Sequence, residues 1–130
     1  MDLKTQVKRQ IELIEDGKPL EAFKKFFSDK VIMNNNDVVF AKSKKEGIEL
    51  QSEFFKNISE FKTKVYYSNL VNEISTIAIN YSFINIDKKS VNFKGIHRQK
   101  WEDGFIITED FYTGEYLNLP EFEAIDISEE

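Results

Sequence analysis

The side chains best suited to acid–base chemistry lie in one short stretch, residues 95–112, which contains the only histidine and the only tryptophan of the chain. Before the turn at residues 102–104, alternate positions fall on one strand face: Val91, Phe93, Gly95, His97, Gln99 and Trp101. This period of two is typical of a half-buried antiparallel strand. His97 is the first catalytic candidate, because imidazole titrates close to neutral pH. The alternative is a buried histidine held by one or two hydrogen bonds.

Glu109 is the natural partner of His97, and the turn decides whether the two side chains meet. If residues 102–104 form a three-residue loop with a left-handed glycine, His97 lies opposite Glu109 and both point inward. A two-residue loop of residues 103–104 would place His97 opposite Asp110 instead. We favour the three-residue loop, which gives one inner face to Ile107, Glu109 and Phe111.

A different arrangement would separate the pair. Glu109 could lie on the outer face of the sheet and pair there with Arg98 or Lys64. At this point the register of the hairpin stays open, and with it the partner of His97.

Composition limits the class of protein. The 130 residues are 41% hydrophobic and 32% charged, which is typical of one globular domain with a single core. Twelve phenylalanines and five tyrosines favour an aromatic core or cavity. The chain has no cysteine and one histidine, so thiolate catalysis and cysteine or histidine metal clusters are excluded, and we expect neither metal nor cofactor. A net charge of −5 argues against a nucleic-acid partner.

The first residues, Met1-Asp2-Leu3-Lys4, are charged rather than apolar and do not resemble a secretory signal. No apolar run approaches the ~18–20 residues that are needed to span a bilayer. The sequence therefore predicts a cytoplasmic protein with no membrane partner.

Hydrophobic periodicity divides the chain into helices followed by strands. It predicts helices over about residues 2–15, 18–28 and 44–57, the last opened by the capping-box sequence Ser43-Lys44-Lys45-Glu46. Short strands are expected at residues 31–33 and 38–40. After about residue 60 the period changes to two, which predicts antiparallel strands over most of residues 60–113. This order indicates an α+β fold with an antiparallel sheet. Residues 117–130 are acidic and contain Pro120, and they form either a loose tail or an added edge segment.

The order of elements resembles that of the SnoaL-like branch of the nuclear transport factor 2-like superfamily, which includes ketosteroid isomerases and polyketide cyclases. The W-x-D-G-x-I turn at residues 101–106 and the Phe111-Tyr112 strand end contribute to the resemblance. It covers about residues 3–116, so residues 1–116 would form the domain and residues 117–130 an acidic C-terminal segment. It implies a cone-shaped fold, in which three N-terminal helices pack on a curved antiparallel sheet around an internal pocket. Dimers through the sheet are common in this superfamily.

The resemblance also assigns positions in the pocket. Asn34 falls where the isomerase has its general-base aspartate, and Gln10 falls where it has its oxyanion-binding tyrosine. His97 falls where it has a protonated aspartic acid. Because an amide cannot shuttle a proton at neutral pH, we do not expect steroid isomerisation by the known mechanism.

The candidate ligand contacts are polar or aromatic side chains that these arguments place in the pocket: Gln10, Asn34, Tyr67, Tyr81, Trp101 and Phe111. Asn34 could bind a ligand carbonyl, or it could be a turn residue like the two asparagines that follow it. Tyr67 and Tyr81 could offer hydroxyl groups, or they could simply pack against their apolar neighbours.

Two functions remain open on the sequence alone. The first is a domain that binds a small hydrophobic or polar-aromatic ligand, with or without isomerase, cyclase or lyase activity, in which His97 and Glu109 are the catalytic candidates. The second is a non-catalytic dimerisation or protein-interaction domain. An open pocket with His97 at its base favours the first, and a pocket filled by side chains favours the second. Ile96 and Ile106 fall on the face opposite His97, which predicts a homodimer through that face.

Overall fold

The computed structural model describes residues 2–123 and 125. Its helices are α1 (Leu3–Glu15), α2 (Pro19–Phe26) and α3 (Lys44–Lys56). Its strands are β1 (Phe27–Asn35), β2 (Val38–Ala41), β3 (Ser59–Val71), β4 (Ile74–Ile84), β5 (Ser90–Glu102) and β6 (Phe105–Thr113). Two short 3₁₀ helices follow, Gly114–Asn118 and Pro120–Phe122. The three predicted helices and the α+β fold class are confirmed.

The helix ends follow from local chemistry. The Asp2 side chain accepts a hydrogen bond from the Thr5 amide at 2.8 Å and caps α1, and Gly17 leaves that helix with φ of +79°. At α3, the Ser43 hydroxyl accepts from the Glu46 amide at 3.1 Å, as the capping box predicts. The Glu46 carboxylate reaches the amide of Lys42, one residue before the cap, at 2.7 Å.

The six strands form one sheet in the order β2-β1-β6-β5-β4-β3. Four of the strand pairs are antiparallel, whereas β1 and β6 run parallel. The expectation of a wholly antiparallel sheet is therefore wrong at this one pair. The reason is that β1 lies beside the last strand of the chain, so no hairpin turn fixes their relative direction.

The helices cover one face of the sheet, which we call the inner face, and the core between them is apolar. It consists of Val7, Phe23, Phe26, Phe27, Val31, Met33, Ala41, Trp101 and Ile106. Ile106 is fully buried in this core. The prediction that Ile106 points to the outer face is wrong. Trp101 pairs with Ile106 but Lys100 pairs with Thr108, so β6 has a β-bulge between these two pairs, and the bulge turns Ile106 inward.

The opposite face of the sheet, the outer face, is covered in part by the C-terminal strap, residues 114–123 and 125. Phe122 and Ile125 are buried there against Ala78, Ile96 and Tyr112. The Arg98 guanidinium lies 5.6 Å from the centre of the Phe122 ring and donates to the Glu121 carboxylate at 3.1 Å. Ile96 is therefore covered by the chain itself, and the argument for a homodimer from exposed Ile96 and Ile106 is wrong.

The strap shows what the acidic segment does in its described part. It is neither a loose tail nor an edge strand, because it packs flat on the outer face. Glu121 pairs with Arg98, while Glu123 is exposed. Asp126, Glu129 and Glu130 lie outside the described residues. None of the helices in the described part of the chain has the length and apolar character needed to cross a bilayer.

Candidate functional site

A two-residue loop joins β5 to β6. Asp103 and Gly104 both have positive φ, at 52° and 85°, as a type I′ turn requires. Glu102 accordingly pairs with Phe105. The favoured three-residue loop is wrong, and Asp-Gly, a strong signal for a two-residue turn, decides the geometry.

The β-bulge after this turn restores the inward direction of Glu109. Beyond the bulge, Gln99 lies opposite Glu109 and His97 lies opposite Phe111. Neither loop alone predicted these partners, since the bulge adds one residue to β6. His97 and Glu109 are thus diagonal neighbours on the inner face. Their side chains still meet, because Nδ1 of His97 lies 3.1 Å from Oε2 of Glu109. The arrangement in which Glu109 pairs with Arg98 or Lys64 on the outer face is also wrong.

A buried polar network supports Glu109 from behind. Gln10 and Gln99 form a reciprocal amide pair, with N–O distances of 3.0 and 2.8 Å. The second amide hydrogen of Gln99 goes to Oε2 of Glu109 at 2.7 Å. The Ser75 hydroxyl donates to Oε1 of Gln99 at 2.9 Å and accepts from the Trp101 indole at 2.9 Å. These bonds fix the carboxylate through fully buried side chains.

Tyr81 extends the network to the other side of the imidazole. Its hydroxyl lies 2.5 Å from Nε2 of His97. Burial raises the pKa of Tyr81 above its ordinary value of 10.0, and the charge of Glu109 raises it further. The phenol therefore keeps its proton at neutral pH and can donate it. A ring proton on Nδ1, the nitrogen beside the carboxylate, leaves Nε2 as the acceptor for Tyr81.

The contact between His97 and Glu109 is electrostatic rather than a full hydrogen bond. Although the two atoms are 3.1 Å apart, Nδ1 has no hydrogen-bond partner of good geometry among the described residues. The imidazole is held instead by Tyr81 and by the Phe111 ring, whose centre lies 4.5 Å away.

These side chains form the polar wall of a pocket of about 420 Å³ that is open to solvent on one side. Five of the predicted contacts and candidates line it: Gln10, Tyr81, His97, Glu109 and Phe111. Gln99 and Asn35 line it as well, and most of the remaining lining is aromatic or aliphatic. This volume lies within the range of sites for small molecules. The geometry combines an apolar chamber with one corner where a proton donor, an imidazole and a carboxylate meet.

Three predicted contacts lie elsewhere. Asn34 is on the other side of β1, where its amide donates to the Asp110 carboxylate at 2.9 Å, and its neighbour Asn35 lines the cavity. Tyr67 packs against the outer-face cluster, because a β-bulge between Val65 and Tyr67 reverses its direction. Trp101 is buried in the inner core, and its indole N–H is linked to the site through the Ser75 hydroxyl.

Sequence reasoning missed Gln99, Ser75 and Asn35. The signal for Gln99 was present, since it shares the strand face of His97 and is a polar residue in an apolar row. Strand alternation with the buried Val31 and Met33 also points to Asn35 rather than Asn34. Ser75 had no comparable signal, because a small hydroxyl residue is common on both faces of a sheet.

Gly95 has no side chain and therefore leaves room for the ring of Phe111 in the aromatic wall of the pocket. A Cβ atom at position 95 would overlap the Phe111 ring. We expect Gly95→Ala to push that ring toward the cavity and to reduce the free energy of unfolding by about 1–3 kcal/mol. Urea-induced unfolding measures this, with the exposed Ser90→Ala on the same strand as control. Equal midpoints for the two variants would contradict the prediction.

The described residues contain no group of three or more histidine, cysteine, aspartate or glutamate side chains that could hold a metal ion. The site has three groups that could bind a metal ion: one imidazole, one carboxylate and one phenol. They are joined to one another, and this arrangement suits proton transfer.

No family model and no curated protein matches the sequence. Solved structures match it well. A Mesorhizobium loti protein, proposed to be a SnoaL-like polyketide cyclase, superposes with a TM-score of 0.73 at 15% identity, over 86% of this chain and 99% of that chain. A nuclear-transport-factor-2-like protein of unknown function from Burkholderia pseudomallei gives 0.73 at 14% identity, over 89% and 95%.

An LEH-like epoxide hydrolase of M. tuberculosis superposes with a TM-score of 0.69 at 14% identity, over 86% of this chain and 85% of that chain. At these identities the similarity establishes the fold. The chain has the cone-shaped fold of SnoaL-like and nuclear-transport-factor-2-like proteins, which confirms the fold that the sequence resemblance implied.

Proposed function

We propose that this protein binds a small, largely apolar molecule inside the cone, with the polar end of the ligand at the corner formed by Tyr81, His97 and Glu109. The observation that carries the proposal is the contact chain itself: Tyr81 lies 2.5 Å from one imidazole nitrogen, and Glu109 lies 3.1 Å from the other. Proteins of this fold include a proposed cyclase and an epoxide hydrolase-like protein, which supports a ligand-binding chamber.

The corner has the parts of a proton relay. Nε2 of His97 can take the proton of Tyr81 while the phenol oxygen accepts a proton from one ligand atom, and the reverse transfer returns a proton to another ligand atom. Glu109 stabilises the positive charge that then develops on the imidazole. These roles suit an isomerase, cyclase or lyase step in which a proton leaves one ligand atom and another ligand atom receives one. The aromatic lining would limit the access of water to that step.

The second function left open by the sequence, a non-catalytic dimerisation or interaction domain, has less support. The cavity is not filled by side chains, and the outer-face residue Ile96 is covered by the strap.

Binding of 2-naphthol, a neutral fluorescent phenol, tests the proposal. We expect saturable one-to-one binding, weakened about tenfold or more by His97→Ala because a buried hydrogen-bond partner is lost. Lys100→Ala, an exposed position on the same strand, should leave the affinity unchanged. The proposal would be overturned by non-saturable binding, or by equal affinities for the two variants.

A further inference from the structure

The charges on the cavity wall are unequal. The lining contains one carboxylate, that of Glu109, and none of the described residues that line the cavity is a lysine or an arginine. The nearest titratable neighbours that face Glu109 are His97 and, beyond it, Tyr81. The chamber therefore carries a negative charge that no fixed cation balances.

One oxygen of this carboxylate is free to meet a ligand. Both protein contacts of Glu109 involve Oε2, which accepts from Gln99 and lies beside His97. Among the described residues, Oε1 receives no hydrogen bond. It is also absent from the fully buried atoms without a partner, so Oε1 is accessible from the pocket. A ligand cation at Oε1 and the imidazole at Oε2 would thus use different oxygens of the same group.

The rest of the chamber is suited to the same kind of ligand. Ten of the lining side chains are aromatic. Phe93 stacks on Tyr81 with ring centres 5.1 Å apart, and Phe111 meets Tyr81 edge-on at 6.2 Å. The faces of aromatic rings carry negative electrostatic potential and attract organic cations, most strongly where water is excluded.

From these observations we infer that the ligand is a compact amine, protonated at neutral pH, whose ammonium group donates to Oε1 of Glu109 while its hydrocarbon part packs against the aromatic wall. The inference rests on the proposed function, since it specifies the ligand of the same cavity. An anionic ligand would meet the like charge of Glu109, which no lysine or arginine of the described lining offsets, in a medium of low dielectric constant. A neutral ligand would gain a hydrogen bond but no charge interaction.

The free-energy cost of dehydrating the ligand's ammonium group is offset because the carboxylate of Glu109 is already dehydrated and positioned in the free protein. Folding has already removed most of the water around Glu109, whose side chain is only 8% exposed, and the Gln99 amide holds it in place. Binding then requires dehydration of one ion instead of two, which is the situation in which a buried pair contributes affinity.

Three probes with one carbon skeleton and different charges test the inference: 3-phenylpropylamine, 3-phenylpropan-1-ol and 3-phenylpropanoate. Isothermal titration calorimetry on the full chain should rank the amine first, about tenfold or more tighter than the alcohol, with the carboxylate probe weakest. In Glu109→Gln the preference of the amine over the alcohol should fall to about threefold or less. Glu102→Gln, an exposed carboxylate on the same hairpin, is the matched control and should change neither affinity.

The outcomes separate this inference from the proposed function. If the alcohol binds as tightly as the amine, or the carboxylate probe binds best, the cation inference is overturned and the ligand-binding function stands. If none of the three binds at concentrations up to about 10 mM, both fail for this class of ligand. The ranking of probes on the unaltered protein decides the matter even if Glu109→Gln does not fold.

Discussion

Replacement of Gln99 by leucine is expected to reduce the free energy of unfolding by about 3–5 kcal/mol, since a single side chain satisfies three buried polar groups. Leucine would leave the Gln10 amide, the Ser75 hydroxyl and the Glu109 carboxylate without the partners that Gln99 provides at 2.7–3.0 Å. The carboxylate contributes most, because a buried charge that loses its hydrogen-bond donor costs more than a neutral group that does so.

Urea-induced unfolding, followed by the fluorescence of the single tryptophan, measures this effect. Lys100→Ala, the exposed neighbour of Gln99 on β5, should change stability by less than about 0.5 kcal/mol. The double variant Gln10→Leu/Gln99→Leu should lose less than the sum of the two single variants, because each single change strands the other amide. Strict additivity would show that the two amides do not depend on each other.

Replacement of Trp101 by alanine should be about as damaging, at about 3–5 kcal/mol, for a different reason. The indole is 2% exposed and packs edge-on against Phe26, with ring centres 6.1 Å apart. Its removal leaves a void in the inner core, and the Ser75 hydroxyl loses the hydrogen bond that it accepts from the indole N–H. Since small domains are stable by only about 5–15 kcal/mol, this loss is a large share of the total, and the urea midpoint of the variant should fall well below that of the unaltered protein.

Trp101→Phe separates the two contributions. It keeps an aromatic ring in the core and removes the indole N–H together with the smaller ring, so we expect an intermediate loss of about 1–2 kcal/mol. Circular dichroism during urea titration is the suitable readout, because neither variant retains a tryptophan. A loss below about 1 kcal/mol for Trp101→Ala would contradict its place in the core.

Much of the fold could be predicted from the sequence because the determining interactions are local. Helix limits follow from caps such as Asp2 and Ser43, whose side chains bond to amides three residues away. The inward face of β5 follows from alternation, which correctly places His97 and Gln99 toward the helices. Both signals depend on residues within one turn or one strand, so no knowledge of the rest of the chain is required.

The candidate site was harder to predict because it depends on register. One extra residue in a β-bulge reverses the direction of every side chain beyond it, and two such bulges moved Tyr67 to the outer face and Ile106 into the core. Period-two alternation carries no mark of a bulge at these positions. The resemblance to isomerases pointed to Asn34, whereas strand alternation alone would have chosen Asn35.

The sequence by itself determined the helices, the long strands, the α+β class and a row of side chains containing His97, since these follow from short-range periodicity and capping. Only the tertiary structure decided which groups meet at the cavity corner, that β1 lies parallel to β6, and that the strap covers Ile96. These features join residues far apart in the chain. Their pairing is selected by the packing of the whole core, where many weak contacts compete, and no single segment encodes the outcome.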